Sequence, residues 1–266
     1  MSTETIRSSF NETSSLKHIR PFLKVFKPNT AESFVHLCTY LRQIDDQVDS
    51  GQRSTNISEF LTNEQNWLRL HGQYNNQPIT KLQQEFYCGT ENLLPIQRRR
   101  LAYLSTEILD GMKIDCHIMA TQQPLSRAKL FQRHITTNAP AFDGLRTLIN
   151  PTAPIPSRSI NYKLLLYYWT NYDSLKDVDK DLSVGLILFP SELLSQYHIN
   201  PHTTELSDYR PAFEALKVST FFGLLRHYHH IRDAQLPQPL GSILEPYYFS
   251  RAIKVPALKF SVQHSP

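Results

Sequence analysis

The sequence predicts an all-α protein, and three observations predict it. Apolar residues recur at helical spacing nearly throughout, as in Leu41, Ile44 and Val48. No run of alternating apolar and polar residues is long enough to define a strand. Glycine is scarce, with 8 residues in a chain of 266, which disfavours both a sheet-and-turn architecture and a Gly-rich phosphate loop.

The apolar period places helices over about 30–49, 57–73, 79–91, 95–120, 126–149, 160–183, 205–233 and 242–256. Each break carries punctuation. Lys-Pro-Asn at 27–29 precedes the first helix, and the polar run 50–56 separates it from the second. The stretch 150–157 holds three prolines and reads as a helix–helix connection, because helices of similar character continue on both sides. Pro190 before Ser191 restarts a short helix over 189–194, and Leu-Pro-Gln-Pro-Leu-Gly at 236–241 precedes the last.

A chain this long can bury a sizeable core. Hydrophobic residues are 40% and charged residues 20%, an ordinary globular balance. The net charge of +4 fits an anionic small ligand and is too weak to argue for nucleic acid. Cys38, Cys88 and Cys116 have no metal-site spacing and read as reduced core residues in a reducing, cytoplasmic compartment. No apolar run reaches the ~18 residues of a membrane span, and the polar first 25 residues lack a secretory apolar region.

Two acidic clusters need explanation. Asp45 and Asp49 lie four residues apart with Asp46 between them, so like charges share a helix face, where they repel. Asp173, Asp177 and Asp181 repeat that spacing and would stack on one helical stripe, with Asp179 pointing elsewhere and Lys176 and Lys180 forming a neighbouring basic stripe. One reading is a solvated acidic face balanced by lysines. A calcium loop beginning at Asp177 fails, because Leu182 stands where the loop needs Gly and Leu188 where it needs Glu. A third reading has two helices presenting carboxylates to each other across a cavity, with Arg42 and Lys176 close by. Bound Mg²⁺ would then relieve the repulsion, since it takes carboxylates, waters and substrate phosphates as ligands. Such a site would ionise an allylic diphosphate.

Four stretches, in order, resemble the squalene/phytoene synthase family over roughly 30–250. "YLRQIDDQVD" (40–49) resembles its first motif, an Arg three residues before a DxxxD. "EILDGMKIDCHIM" (107–119), followed by "LSRAKLFQRH" (125–134), resembles its central helix. "YDSLKDVDKDLSVGLILFP" (172–190) resembles the second acidic motif, and "LLRHYHHIRDAQLPQPL" (224–240) its late helix. The resemblance implies one isoprenoid-synthase helical bundle around a central cavity, over 26–266 after a polar segment 1–25. It implies that Asp45, Asp49, Asp177 and Asp181 are catalytic and face Mg²⁺ or Mn²⁺, with Asp173 as a further ligand. Arg42, Lys176 and Lys180 would hold the diphosphate. Asp46 and Asp115 stand as secondary members of the site.

The chain departs from the family pattern at several positions. Asp173 replaces an Asn, Lys176 an Arg, Leu186 an Arg after Gly185, Cys38 a Tyr and Gln132 a Tyr, while Asn138 and Ala141 fall where Gly is usual. The second motif is therefore more negative than the pattern, by one cation lost and one anion gained. Lys176 keeps its charge and loses the planar fork of Arg.

The leading expectation is a Mg²⁺-dependent enzyme condensing two prenyl diphosphates of fifteen or twenty carbons with release of pyrophosphate. The alternatives are a class I terpene cyclase acting on one prenyl diphosphate and a non-catalytic relative acting as an assembly factor. Retention of both repulsive DxxxD pairs argues against the last. No nicotinamide-binding motif is recognisable, no nucleic acid is expected, and peripheral membrane contact and a monomer or homodimer are all compatible with the resemblance. His227, His229 and His230 read as hydrogen-bonding or exposed rather than ligating, Arg98, Arg99 and Arg100 as a solvated turn, and "LLLYYW" (164–169) mostly as core. No nucleophile-elbow sequence supports a Ser-His-Asp triad.

Overall fold

A computed structural model describes residues 28–49, 56–152, 159–203, 205–236 and 240–260. The expected segment 1–25 and most of the proline-rich connection lie outside them. Among the described residues there are helices and no strand. They are α1 Pro28–Asp49, α2 Asn56–Tyr74, α3 Lys81–Thr90, α4 Pro95–Thr121 and α5 Arg127–Ile149. Then come α6 Ile160–Lys176, α7 Val178–Ser183, α8 Ser191–Gln196, α9 Arg210–His227 and α10 Leu240–Lys254. Short 3₁₀ turns occupy Leu206–Tyr209, Tyr228–Ala234 and Val255–Ala257.

The chain forms two compact units. Among the described residues one comprises 28–49, 62–106 and 141–152, the other 56–61, 107–140, 159–203, 205–236 and 240–260. In the first, α1 buries Ala31, Phe34, Leu37, Tyr40, Ile44 and Val48; of the stripe read from the sequence Ile44 and Val48 are buried and Leu41 is half-buried. Against it packs α3, whose start is capped by Thr80 accepting from the Gln83 amide at 3.1 Å. The approach is close at Gly89, where a Cβ would stand 3.1 Å from the Ser33 carbonyl. Tyr40, Trp67, His71 and Phe86 form a ring cluster there.

In the second unit, α6 packs along α9, and α10 packs on α9 and on the turn Tyr228–Ala234. The contact of α6 with α9 is tightest at Gly223, where a Cβ would lie 2.4 Å from the Tyr168 ring. Leu165, Leu166, Phe213, Leu224, Tyr248 and Ala252 fill this core.

Two expected helices are subdivided. The helix expected over 160–183 breaks at Asp177, whose backbone (φ −103, ψ 11) leaves the helical region between α6 and α7. Asp there would otherwise hold carboxylates one turn away on both sides, and Asp readily takes non-helical backbone. The helix expected over 205–233 keeps α-geometry only from Arg210 to His227, with 3₁₀ turns on either side. After α7, Gly185 adopts a left-handed φ of 82. The Leu186 amide reaches the Asp181 carbonyl at 2.8 Å and the Gly185 amide the Leu182 carbonyl at 3.0 Å, a Schellman ending.

Candidate active site

The first acidic motif lies on the half-exposed side of α1, opposite Ile44 and Val48. Arg42 is the neighbour that makes it tolerable. Its guanidinium spans Asp45 at 2.8 Å and Asp46 at 3.0 Å, one turn on. The repulsion expected from the sequence is thus relieved in part by a cation within the motif. Asp49 is half-buried at the end of the same helix. Cys38, where the family pattern has Tyr, is a thiol pushed up by burial to about 12, so it is neutral packing and no nucleophile.

Sequence reasoning missed the buried carboxylate behind this helix. Glu64 of α2 is 3% exposed and accepts from the Tyr40 hydroxyl at 3.0 Å and the Gln83 amide at 2.9 Å. Burial raises its pKa, against the opposing effect of those two hydrogen bonds. Nothing in local spacing announces it, because its partners come from other helices.

The second motif does not form the single stripe expected from its spacing, since α6 ends at Lys176. Asp173 is half-buried on α6, Asp177 is exposed at the break, and Asp181 is half-buried on α7. Lys176 stands 3.5 Å from Asp177. Burial pushes the Asp173 carboxyl up to about 6, and Asp177 adds to that, while Arg251, Lys176 and a hydrogen bond from Trp169 oppose it. Asp179 is half-buried and Lys180 exposed on α7. Asp181 borders a small cleft with Leu175, Leu182, Leu186, Phe189 and Leu216. The cleft has room for about one water molecule, far too little to hold a prenyl chain by itself.

Arg251 is the cation that the sequence reading missed. It projects from α10 between the rings of Trp169, Tyr172 and Tyr247, with its guanidinium carbon 5.0–5.6 Å from their centroids. It donates to the Tyr247 hydroxyl at 2.6 Å and the Tyr172 hydroxyl at 3.2 Å. The charge balance read from the sequence counted only neighbours along the chain, and Arg251 offsets Asp173 from far away in it. The available signal was Tyr247 one helical turn before Arg251, together with the aromatic run of α6.

Leu186, where the pattern has Arg, is 6% exposed and follows Gly185 into the core. Asp115 sits on α4 in a buried two-pronged pair with Arg133 of α5, with Nε to Oδ1 at 2.8 Å and a second bond from Nη2 to Oδ2. Arg133 Nη1 also lies 3.2 Å from His134 Nδ1, and His134 Nε2 meets Asn171 Oδ1 at 3.1 Å. His227 stacks on Tyr168, and His230 Nδ1 lies 3.4 Å from Asp233. Arg99 is exposed, while Arg100 donates to the Pro151 carbonyl at 3.0 Å. The three cysteines are free thiols.

Asp45 and Asp49 fall in one compact unit and Asp173, Asp177 and Asp181 in the other. Among the described residues no group of three or more His, Cys, Asp or Glu side chains is gathered as a metal site. No described helix is long and apolar enough to cross a membrane.

The fold is that of the helical isoprenoid synthases. The chain is similar to the crystal structure of a dehydrosqualene synthase in complex with ligand. The likeness covers 98% of this chain and 89% of that one, at a TM-score of 0.64 and 15% sequence identity. No protein-family model and no curated protein sequence matches the chain.

Proposed function

We propose that this chain is a Mg²⁺-dependent enzyme acting on prenyl diphosphates, in the manner of squalene and phytoene synthases. The observation that carries the reading is that a chain with this fold keeps both DxxxD pairs, on α1 and across α6–α7, each beside a cation. The donor set fits Mg²⁺, being all carboxylate oxygen. Asp45 and Asp49 of the first motif, and Asp173, Asp177 and Asp181 of the second, are the residues that would bind such ions. Bound there, Mg²⁺ would neutralise the departing pyrophosphate.

The remaining roles belong to the chain's own residues. Arg42 would turn from Asp45 and Asp46 to the diphosphate once those carboxylates are engaged. Lys176 and Lys180, both exposed, would add point charges to the same anion. The dehydrosqualene synthase likeness supports condensation of two prenyl chains. A single-substrate cyclase is the second reading, favoured by Leu186. A buried leucine there leaves the second motif without the cation that a second diphosphate would use.

Incubation with fifteen- and twenty-carbon prenyl diphosphates and Mg²⁺, with products read by mass spectrometry, tests these readings. A doubled hydrocarbon or a cyclopropyl diphosphate establishes condensation, and a cyclic hydrocarbon of unchanged carbon number establishes the cyclase. Absence of turnover with every prenyl diphosphate overturns both and favours an assembly role.

A further inference from the structure

Helix α9 poses a problem of burial. One side faces the core through Phe213, Leu216, Gly223 and Leu224. The opposite side should then be polar, because a helix apolar all round belongs in an interior. Instead it exposes Val218 at 54% and Phe222 at 63%, one turn apart. Neighbouring α10 repeats the pattern, with Phe249 exposed at 40% and Ile253 at 58%, again one turn apart. The two stripes are linked, for Phe249 packs on Tyr228 just beyond α9 at 5.1 Å between ring centroids.

Apart from two ion pairs, the charges around these residues have one sign. Arg226 lies one turn beyond Phe222, Lys254 adjoins Ile253 and Lys259 follows; all three are exposed. Among the described residues none of the three has an ion-pair partner. The nearby acids are already engaged, Glu214 with Lys217 at 2.6 Å and Glu245 with Arg232 at 2.7 Å. A second copy presenting the same face would set cation against cation, which disfavours a two-fold pairing. An anionic lipid surface meets both requirements, taking apolar side chains below the headgroups and attracting the basic residues above them.

We propose that the outer face of α9 and α10 docks on an anionic membrane surface through Phe222, Phe249 and Ile253, held by Arg226, Lys254 and Lys259. The inference stands on this surface and not on the reaction, so it survives whichever product the enzyme makes.

Co-sedimentation of the full chain with vesicles tests it, using phosphatidylcholine alone and phosphatidylcholine mixed with phosphatidylserine. The wild-type chain should bind the mixed vesicles, and weakly or not at all the neutral ones, with binding that falls as salt rises. Phe222→Ser with Phe249→Ser should weaken binding about ten-fold or more. Arg226→Gln and Lys254→Gln should each weaken it about five-fold at low salt. Tyr103→Ser, at an exposed aromatic in the other unit, should change nothing. Circular dichroism of each variant confirms that it folds. Failure of the folded wild-type chain to bind mixed vesicles overturns the proposal, as does equal loss in the Tyr103 control. If the phenylalanine variants alter the oligomeric state by light scattering and leave vesicle binding unchanged, a second copy covers the face and the proposal is wrong.

Discussion

At the scale of single residues, Arg42 and His134 carry opposite kinds of charge bookkeeping. Arg42 bridges two carboxylates at a half-exposed surface, where an ion pair contributes little. Arg42→Ala should lower stability by about 1 kcal/mol or less, read by urea denaturation, and should reduce turnover far more than it reduces stability. Asp49→Asn removes one of several like charges and should leave the metal-free melting temperature unchanged or slightly raised, while abolishing turnover. His134 is fully buried, and burial lowers its pKa well below 6.5, helped by the adjacent Arg133. The neutral ring satisfies both neighbours if Nδ1 accepts from Arg133 and Nε2 donates to Asn171. Its sign follows from linkage. The folded state resists the proton that the unfolded state takes, so the stability is fully present above pH ~6.5 and is lost as pH falls toward the lowered value. Burial lowers the pKa of His71 in the same direction. Glu64, with a raised pKa, runs the other way and loses stability as pH rises through that value. Melting temperature against pH should therefore fall below about 6.5, and His134→Gln should flatten that limb. An unchanged limb in the variant would show that His134 does not titrate on unfolding.

At the scale of elements, pairs of helices are fixed by contacts that spacing along the chain cannot reveal. Asp115→Asn leaves Arg133 buried without its carboxylate and should destabilise by about 3–5 kcal/mol in urea unfolding. Replacing both, Asp115→Leu with Arg133→Met, should recover much of that loss, because no uncompensated charge remains. Gly223→Ala drives a methyl into the Tyr168 ring and should cost about 1–3 kcal/mol, reduced when Tyr168→Leu is added. Leu186→Arg looks from the sequence like restoration of a family cation. In the structure it places a cation at a buried position after a Schellman turn, and it should destabilise by about 3 kcal/mol instead of tightening a second diphosphate. The helices themselves were legible, since Leu41, Ile44 and Val48 repeat at helical spacing and Pro28 and Pro190 mark starts. The break at Asp177 was not, because the spacing of Asp173, Asp177 and Asp181 remains helical and backbone bonds of 3.0 and 2.9 Å continue across it. Partners far apart in sequence were equally hidden, as with Glu64 among Tyr40 and Gln83, and Arg251 among Trp169, Tyr172 and Tyr247.

At the scale of the whole molecule, the all-α architecture was legible from composition and period, and the likeness to a solved isoprenoid synthase agrees with it at only 15% identity. Burial pattern and helix order outlast sequence identity because many apolar side chains of suitable volume satisfy the same core. Site chemistry is less tolerant. A replaced cation must be matched elsewhere, as Arg251 matches part of the charge of Asp173. The central claim is that the carboxylates of each acidic motif are needed for Mg²⁺-dependent ionisation of a prenyl diphosphate. Pyrophosphate release from a fifteen-carbon prenyl diphosphate measures this directly, with and without Mg²⁺, in the wild-type chain and in Asp49→Asn and Asp177→Asn. The account predicts release only with Mg²⁺, and a fall of about a hundred-fold or more in each variant with melting temperature preserved. Release that persists without divalent cations, or that survives loss of either carboxylate, would contradict it.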